Sequence, residues 1–171
     1  KRLILFAKNM HSLQTKEWVQ ELVEEVKEVD WDVIFVTESW RAKREEVLVV
    51  EKGHWFGGSG GTPGERGAAL LIHKKWKGGV VDFRARSERL AAVDVNIAGR
   101  KYTMVAVYFP HAGYSDKDVE AVYEMLSLER AHAAQKGRRL IIGGDFNAVV
   151  GKRFDAEPKT VVGDHGLGEK N

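Results

Sequence analysis

The chain has 171 residues, of which 43% are hydrophobic and 30% are charged, and this balance is typical of one soluble globular domain with a substantial core. The formal net charge is only +2, so binding to a nucleic acid would need a local basic patch. The sequence has no cysteine, which excludes disulfides and zinc–thiolate sites, and no apolar run reaches membrane-spanning length, so we expect no membrane partner.

The first third of the chain predicts a strand, a helix and a second strand. Continuous apolar runs at residues 3–7 and 33–36 predict two buried strands. Between them, from about Thr15, apolar residues repeat every three to four positions, which predicts an amphipathic helix. These residues are Trp18, Val19, Leu22, Val23, Val26 and Val29. The order predicts a βαβ-like unit with a helix on one face of a sheet.

The middle of the chain is rich in short apolar runs. A glycine-rich segment at residues 57–67 predicts a flexible loop, and it lacks the Gly-Lys-Ser/Thr ending of a phosphate-binding P-loop. Ala98-Gly99-Arg100 predicts a hairpin turn. The predicted strands of this region cover residues 47–50, 68–72, 80–83, 90–97 and 102–108.

A second helix is predicted after residue 115. The four residues from Ser115 to Asp118 fit a capping box, and apolar residues at helical spacing follow them to about Gln135. Gly137 is a natural end for this helix. Because we find neither an internal repeat nor a linker, the sequence predicts one α/β domain over residues 1–171.

Two polar residues follow the last predicted strand. An apolar run at residues 140–142 predicts a buried strand, and two glycines end it before Asp145 and Asn147. In an extended chain, residues two apart leave the same face, so a carboxylate and an amide would project together, which suits work on a metal-bound phosphate. The alternative is that Asp145 and Asn147 only form Asx-type turns, which are common after strands.

Three further strand ends carry polar residues of a similar kind. Asn9, Glu38, and Tyr108 with His111 each follow an apolar strand, and strand ends gathered on one sheet edge are a usual place for a site. Hard oxygen ligands without cysteine favour Mg²⁺ or Mn²⁺ over zinc. Glu38 and Asp145 are the carboxylates best placed to bind such an ion or to activate a water. No Ser-His-Asp order supports acyl transfer.

The ordered motifs around these residues resemble those of the endonuclease/exonuclease/phosphatase superfamily, which has the DNase I-like fold. They look closest to apurinic-type endonuclease domains of LINE-type retrotransposons and to craniofacial development protein 2-like proteins. The resemblance implies a four-layer αββα sandwich and Mg²⁺- or Mn²⁺-dependent hydrolysis of DNA phosphodiesters inside the cell, with the nucleus as one location. The matching motifs are Asn9, Thr37-Glu38, residues 108–113 and residues 144–147.

The same resemblance implies a role for each residue of the site. Glu38 would hold the metal ion, with Asn9 beside it. Asp145 would orient or deprotonate the attacking water, and Asn147 would hold that water and the phosphate oxygens. Tyr108 would donate to the phosphate or stabilise the developing charge. These roles agree with the general need of phosphoryl chemistry for positioning and charge neutralisation.

The chain departs from the family pattern in two places. His11 stands where apurinic endonucleases usually have an acidic residue. The family ends on an Asp-His dyad, and the only Asp-His here, Asp164-His165, has no strand after it, so we interpret it as a loop dipeptide. We therefore expect the domain to be incomplete at its C-terminal end, with unpaired sheet edges that favour self-association.

Several alternatives stay open at this stage. His111 would contact a phosphate or serve only in a turn. Lys74, Lys75 and Lys77 surround Trp76, a mixture that suits a nucleic-acid backbone but equally a solvated turn. The favoured function is a DNA endonuclease. The alternatives are an inactive remnant that acts as a binding module, and hydrolysis of a phosphoinositide, sphingomyelin or nucleotide.

Overall fold

The computed structural model describes residues 2–11, 13, 15–62 and 65–148. Within them, two sheets lie between two α-helices. The strands are β1 (Leu5–Asn9), β2 (Val33–Thr37), β3 (Glu45–Val49), β4 (Trp55–Ser59), β5 (Ala68–Ile72), β6 (Val80–Ser87), β7 (Leu90–Ile97), β8 (Arg100–Tyr108) and β9 (Arg139–Asp145), and the helices are α1 (Lys16–Glu25) and α2 (Asp116–Gln135). Neither described helix is long and apolar enough to cross a membrane.

Each sheet contains one parallel pair of strands. The first sheet has the order β1-β2-β5-β4-β3 and the second has the order β6-β7-β8-β9. β1 pairs with β2 in parallel, and β8 pairs with β9 in parallel, whereas the other neighbours are antiparallel. Parallel neighbours need a crossover, and α1 and α2 supply the two crossovers. Each crossover therefore places the C-terminal ends of two neighbouring strands side by side at the same end of the sheet.

The hydrophobic core consists of three clusters, one at each interface between the four layers of the fold. The inner faces of the two sheets pack together through side chains such as Phe35, Leu70 and Met104. The outer face of the first sheet packs against Leu22 of α1, and the outer face of the second sheet packs against Val122 of α2. β2 is buried on both faces, which explains its continuous apolar run. This αββα order confirms the predicted fold class.

The predicted glycine-rich loop starts later than expected. Residues 57–59 belong to β4, which is fully buried, and they pair with β3 and β5. A Cβ on Gly57 would lie 2.2 Å from the Trp55 ring and 2.8 Å from the Phe83 ring. The glycine is therefore needed because aromatic side chains fill the space above the strand, a reason that local glycine content does not reveal.

Helix α1 is also shorter than predicted. It ends at Glu25 rather than continuing to Val29, whose side chain is exposed. The apolar periodicity extends beyond the end of the helix. Val26 is no longer helical, but its side chain still packs against the apolar residues between α1 and the first sheet. The capping box of α2 is confirmed: Ser115 Oγ accepts a bond from the Asp118 backbone, and Asp118 Oδ2 accepts one from the Ser115 backbone.

Two strands predicted as buried interior strands are edge strands within the described part of the chain. β1 pairs only with β2, and β9 pairs only with β8. Phe6 on β1 and Ile142 on β9 are exposed in consequence. A continuous apolar run predicts a strand but does not show which strands lie beside it. Edge strands and interior strands therefore look alike in the sequence. Asp164-His165 lies outside the described residues.

A buried acidic residue of α2 holds that helix to the second sheet. Glu129 is 0% exposed, and it accepts hydrogen bonds from Arg86 Nε at 2.7 Å and from Arg84 Nη2 at 2.8 Å. Burial raises the pKa of Glu129, but the bonds from the two arginines outweigh this effect and hold the pKa below its ordinary value. Both arginines come from β6, so the contact links α2 to the far edge of its sheet.

A second buried acid, on β7, extends this network. Asp94 accepts hydrogen bonds from Thr103 Oγ1 at 2.8 Å and from Arg84 Nη2 at 3.1 Å, and its Oδ2 lies 2.8 Å from His132 Nε2. Arg138 Nε, at the entry to β9, lies 3.1 Å from the same carboxylate. Burial raises the pKa of Asp94, but these partners lower it overall. The network fixes both ends of the connection from α2 to β9.

We expect Glu129→Gln to lower the free energy of unfolding by about 3 kcal/mol, because the buried carboxylate that pairs with Arg84 and Arg86 would lose its charge. Because the pKa of Glu129 is lowered, its carboxylate stabilises the fold above its ordinary pKa of 4.5, and this contribution is lost as the pH falls through the lowered value. The variant should therefore lose less stability than the parent between pH 7 and pH 3. Urea unfolding at both pH values measures this.

The matched control is Glu124→Gln on the exposed face of the same helix, which should change the free energy of unfolding by no more than about 0.5 kcal/mol. Equal effects of the two substitutions would show that the buried network does not secure α2.

We expect the chain to self-associate through β1, because this strand exposes Phe6 and its outer backbone groups pair with no other strand among the described residues. Phe6→Lys should reduce the associated fraction, since charged side chains on edge strands oppose pairing between chains. Trp18→Lys removes an equally exposed aromatic residue from a helix and is the control. Light scattering over a concentration series measures the mass; a parent chain that stays monomeric throughout contradicts the expectation.

Candidate functional site

The four predicted strand ends converge in pairs at the carboxyl edges of the two parallel pairs. Asn9 and Thr37 are register partners at the end of β1 and β2, and Glu38 follows Thr37 directly. Tyr108 and Asp145 are register partners at the end of β8 and β9. The two sheets pack face to face, so the two edges lie at the same end of the sandwich.

The Glu38 carboxylate is held by Asn9, the last residue of β1, and by His11 from the loop that follows. Asn9 Nδ2 donates to Glu38 Oε1 at 2.7 Å, and His11 Nδ1 lies 2.8 Å from Glu38 Oε2. Asn9 Oδ1 in turn accepts a bond from the His11 backbone at 3.3 Å. The Asn9 amide is thus used on both sides, and its contact orients the Glu38 carboxylate.

The backbone of Glu38 is strained. Its φ is +54°, in the left-handed region that residues with a Cβ rarely adopt. The neighbouring backbone fixes this turn: Met10 N donates to Thr37 O at 3.1 Å, and Ser39 N donates to Gly67 O at 3.3 Å. Strain that the surrounding structure maintains is common at functional sites, and here it turns the Glu38 side chain towards the strand ends.

Asp145 and Asn147 do not project together from an extended strand, so that part of the prediction is wrong. Asn147 has φ +45°, and its backbone N donates to Asp145 Oδ1 at 2.9 Å, which is the Asx-type turn of the alternative interpretation. Asn147 Nδ2 donates to the Phe109 carbonyl at 2.7 Å. The described part of the chain offers no hydrogen-bond partner for Asp145 Oδ2. The turn therefore orients the carboxylate and leaves one oxygen available.

Tyr108 connects the two halves of the site. Its pKa is raised, first by burial and then by the negative charge of Glu38, with a further contribution from Asp145 and a hydrogen bond to Glu38. Both carboxylates thus act on the same hydroxyl group although they belong to different sheets. The arrangement places an O–H donor between two acidic side chains.

Arg89 is a member of the site that the sequence did not indicate. Its side chain is buried, and its guanidinium carbon lies 5.3 Å from the Tyr108 ring centroid and 4.5 Å from the Tyr114 ring centroid. The positive charge partly opposes the rise in the pKa of Tyr108. Arg66 lies 5.6 Å from the Tyr114 ring and pairs with Glu88. A single arginine before a strand carries no pattern that would identify it.

Of the remaining predicted residues, His111 lies beside this group, with its ring centroid 4.6 Å from that of Tyr114, whereas the three lysines lie apart from it. His111 is exposed, and its Nδ1 accepts a bond from Gly113 N at 3.1 Å, which is the role of a turn histidine. Lys74, Lys75 and Lys77 follow β5 at Ile72, which pairs with the beginning of β2. They therefore lie at the opposite end of the first sheet from Glu38.

The described side chains fit a metal ion that keeps most of its water. They contain no group of three or more His, Cys, Asp or Glu residues that could enclose an ion. Mg²⁺ commonly takes one or two carboxylates and fills its other positions with water and phosphate oxygens. The oriented carboxylate of Glu38 suits this mode, and both its oxygens and the Asn9 oxygen keep lone pairs beyond the contacts they make with Asn9 and His11.

The sequence profile of the Endonuclease/Exonuclease/phosphatase family matches residues 7–162. A comparison with curated proteins gave no match. The matched segment contains the motifs around Asn9, Glu38, Tyr108 and Asp145. The resemblance noted from these motifs is therefore confirmed at the level of the family.

Solved structures with a similar fold include two enzymes and one endonuclease domain. The AP endonuclease LMAP from Leishmania major has a TM-score of 0.57 and 13% identity over 91% of this chain and 58% of that one. The endonuclease domain of TRAS1, a telomere-specific non-LTR retrotransposon, has a TM-score of 0.54 and 19% identity over 91% and 65%. The 3′ phosphatase NExo from Neisseria, bound to product DNA hairpin, has a TM-score of 0.53 and 16% identity over 86% of this chain and 59% of that one.

These similarities confirm the DNase I-like fold. At 13–19% identity they describe the fold alone. The chain covers between 58% and 65% of the length of these three structures.

We expect Glu38→Gln to lower the raised pKa of Tyr108, because the substitution removes a negative charge that disfavours the phenolate. NMR titration of tyrosine labelled at the ring carbon that bears oxygen measures each phenol separately. Glu21→Gln, an exposed position on α1, should leave the pKa of Tyr108 unchanged. An unchanged pKa in the Glu38 variant would mean that the carboxylate does not face the hydroxyl.

Proposed function

Because the chain belongs to the Endonuclease/Exonuclease/phosphatase family, we propose that it hydrolyses phosphodiester bonds of DNA as a divalent-metal-dependent endonuclease of the apurinic or LINE type. The observation that carries the proposal is the pairing of Tyr108 with Asp145 at the ends of β8 and β9, together with the effect of Glu38 from the facing sheet on the pKa of Tyr108. Two carboxylates and a phenol from two facing sheets provide the acceptors and the donor that water attack on a phosphodiester requires.

Asp145 is the acceptor for the attacking water. Its Oδ1 is fixed by the Asn147 backbone at 2.9 Å, so its orientation is set before a substrate arrives. As the water attacks phosphorus in line with the leaving oxygen, the P–O bond to that oxygen breaks and Asp145 takes a proton from the water. A carboxylate that is already oriented lowers the reorganisation needed in this step.

Tyr108 is the donor nearest to the reacting phosphate. Its raised pKa keeps the hydroxyl protonated at neutral pH, so it can donate a hydrogen bond to the phosphate oxygens as their negative charge increases. Arg89 packs on the Tyr108 ring and limits the movement of this donor.

Glu38 would hold the metal ion, and Asn9 would keep its carboxylate oriented through the 2.7 Å hydrogen bond. A bound Mg²⁺ or Mn²⁺ supplies charge neutralisation for the phosphate oxygens and the leaving group. In this proposal Asn9 is a positioning residue for Glu38, whereas the sequence predicted it as a neighbour of the ion.

The rim of the site supports DNA as the substrate. Arg66 and Arg89 lie 5.6 Å and 4.5 Å from the centroid of the Tyr114 ring. Arginine beside an aromatic ring is a combination that contacts backbone phosphates and stacks on bases. Hydrogen bonds from both arginines lower the pKa of Tyr114, and Glu88 offsets the charge of Arg66 but not that of Arg89.

Nicking of supercoiled plasmid by the 171-residue chain tests the proposal. We expect nicking with Mg²⁺ or Mn²⁺ and none with EDTA. Glu38→Gln and Asp145→Asn should each reduce the rate by roughly a hundredfold or more, because each removes a charge that acts in the transition state. Both substitutions keep the size of the side chain, and circular dichroism checks that the fold is retained.

The control is Glu21→Gln on the exposed face of α1, which should nick at the parent rate. Metal-independent nicking, or nicking that survives both site substitutions, would exclude the proposed centre. A parent chain that hydrolyses a soluble phosphoinositide or a nucleotide but leaves plasmid intact would retain the chemistry and exclude DNA as the substrate.

A further inference from the structure

A second cavity lies at the end of the first sheet opposite to the candidate active site. Its volume is about 370 Å³. It begins where β5 ends, since Ile72 pairs with Val33 at the start of β2 and His73 N donates to Asp32 O at 3.0 Å. The length of β2, roughly 15 Å, separates it from Glu38. A cavity of this size falls in the range of small-molecule sites.

Lysines dominate the charged lining of this cavity. Four of them line it and Asp30 is the acidic residue among the lining side chains; the lysines are Lys27, Lys52, Lys74 and Lys75. Glu24 pairs with Lys27 and Lys52, and Asp32 pairs with Lys75 at 2.8 Å. Among the described side chains, four lining lysines therefore stand against three acidic neighbours, Glu24, Asp30 and Asp32.

The wall of the cavity is a compact group of three aromatic rings. The ring centroids of Trp31, His54 and His73 lie 4.7–4.9 Å from one another. Trp31 and His54 are buried, and they fix the position of the more exposed His73. The lysines thus stand around a rigid wall rather than on a mobile loop.

The hydrogen bonds of the two histidines determine which ring nitrogen carries the proton. His54 Nδ1 accepts from Lys74 N at 3.1 Å, and His73 Nδ1 accepts from Lys75 N at 3.2 Å. A neutral imidazole that accepts at Nδ1 carries its proton at Nε2. Both rings therefore carry an N–H donor at Nε2 instead of a free lone pair, which favours an anion over a metal ion as a neighbour.

The electrostatic potential in the cavity is positive. Burial lowers the pKa of His54, and the charges of His73, Lys74 and Lys52 lower it further, to about 4. His54 is therefore neutral at pH 7. A negative charge placed in the cavity would offset the lysines.

We propose that this cavity binds a free small molecule that carries two or more phosphate groups. Lysine ammonium groups and imidazole N–H donors supply the charge-assisted hydrogen bonds that such a group needs, and a multiply charged phosphate suits several cations better than a single carboxylate does. This site is independent of the proposed hydrolysis of DNA, because none of its residues lies at the Glu38 end of the sheet.

Isothermal titration calorimetry with pyrophosphate and with ADP tests the proposal. We expect one binding site per chain. Lys52→Gln with Lys74→Gln should weaken binding about tenfold or more, since charge-assisted hydrogen bonds are lost. Both lysines are exposed, so the double variant should unfold at the same temperature as the parent. Lys16→Gln with Lys101→Gln removes the same charge from exposed positions outside the cavity and should keep the parent affinity.

NMR titration of the histidines gives a second readout. Bound pyrophosphate should raise the pKa of His54 from about 4, because a negative charge stabilises the imidazolium. Absence of binding, equal weakening in both double variants, or an unchanged pKa of His54 would overturn the proposal. Binding of a short DNA duplex at these lysines without binding of pyrophosphate or ADP would also overturn it and assign the surface to nucleic acid.

Discussion

Both halves of the candidate site depend on the parallel pairing of two strands that a helix separates in the sequence. A parallel pair requires a crossover that returns the chain to the same starting edge, so the carboxyl ends of both strands finish side by side. β1 and β2 bring Asn9 next to the residue before Glu38, and β8 and β9 bring Tyr108 next to Asp145. The same crossovers place the helices on the outer faces, which leaves the inner faces to pack together and to align the two edges.

The position of β9 in turn depends on a charge network as well as on the apolar packing of Leu140 and Ile141. Only three residues of α2 are buried, and one of them is Glu129. Its bonds to Arg84, together with the contact of Arg138 to Asp94, fix where α2 ends and where β9 begins. Buried ion pairs add little net stability compared with apolar packing, but their geometry admits few alternatives. The network therefore acts mainly on the register of β9, and through it on the position of Asp145.

Sequence periodicity located both helices, although it overran the end of α1, and it located strands such as β2, whose continuous apolar run reflects burial on both faces. It was insufficient where the reason lies in distant residues. Gly57 looks like a loop residue in the sequence, but it belongs to β4 and must be glycine because the rings of Trp55 and Phe83 occupy its side-chain space. The site motifs predicted which strand ends meet, but the Asx turn of Asn147 and the packing of Arg89 on Tyr108 depend on hydrogen bonds and contacts that no spacing encodes.

The charge distribution along β2 follows from these details. At the Glu38 end, burial and two carboxylates raise the pKa of Tyr108, and Arg89, which also contacts Tyr114, opposes them only in part. At the other end, burial, His73 and lysines lower the pKa of His54. An anionic phosphodiester would be repelled by the carboxylates alone, so the proposed hydrolysis would need a cation held at Glu38 together with the neighbouring arginines. The two proposals thus differ in their electrostatics: the acidic centre would need a metal ion to accept a phosphate, whereas the lysines of the cavity would not.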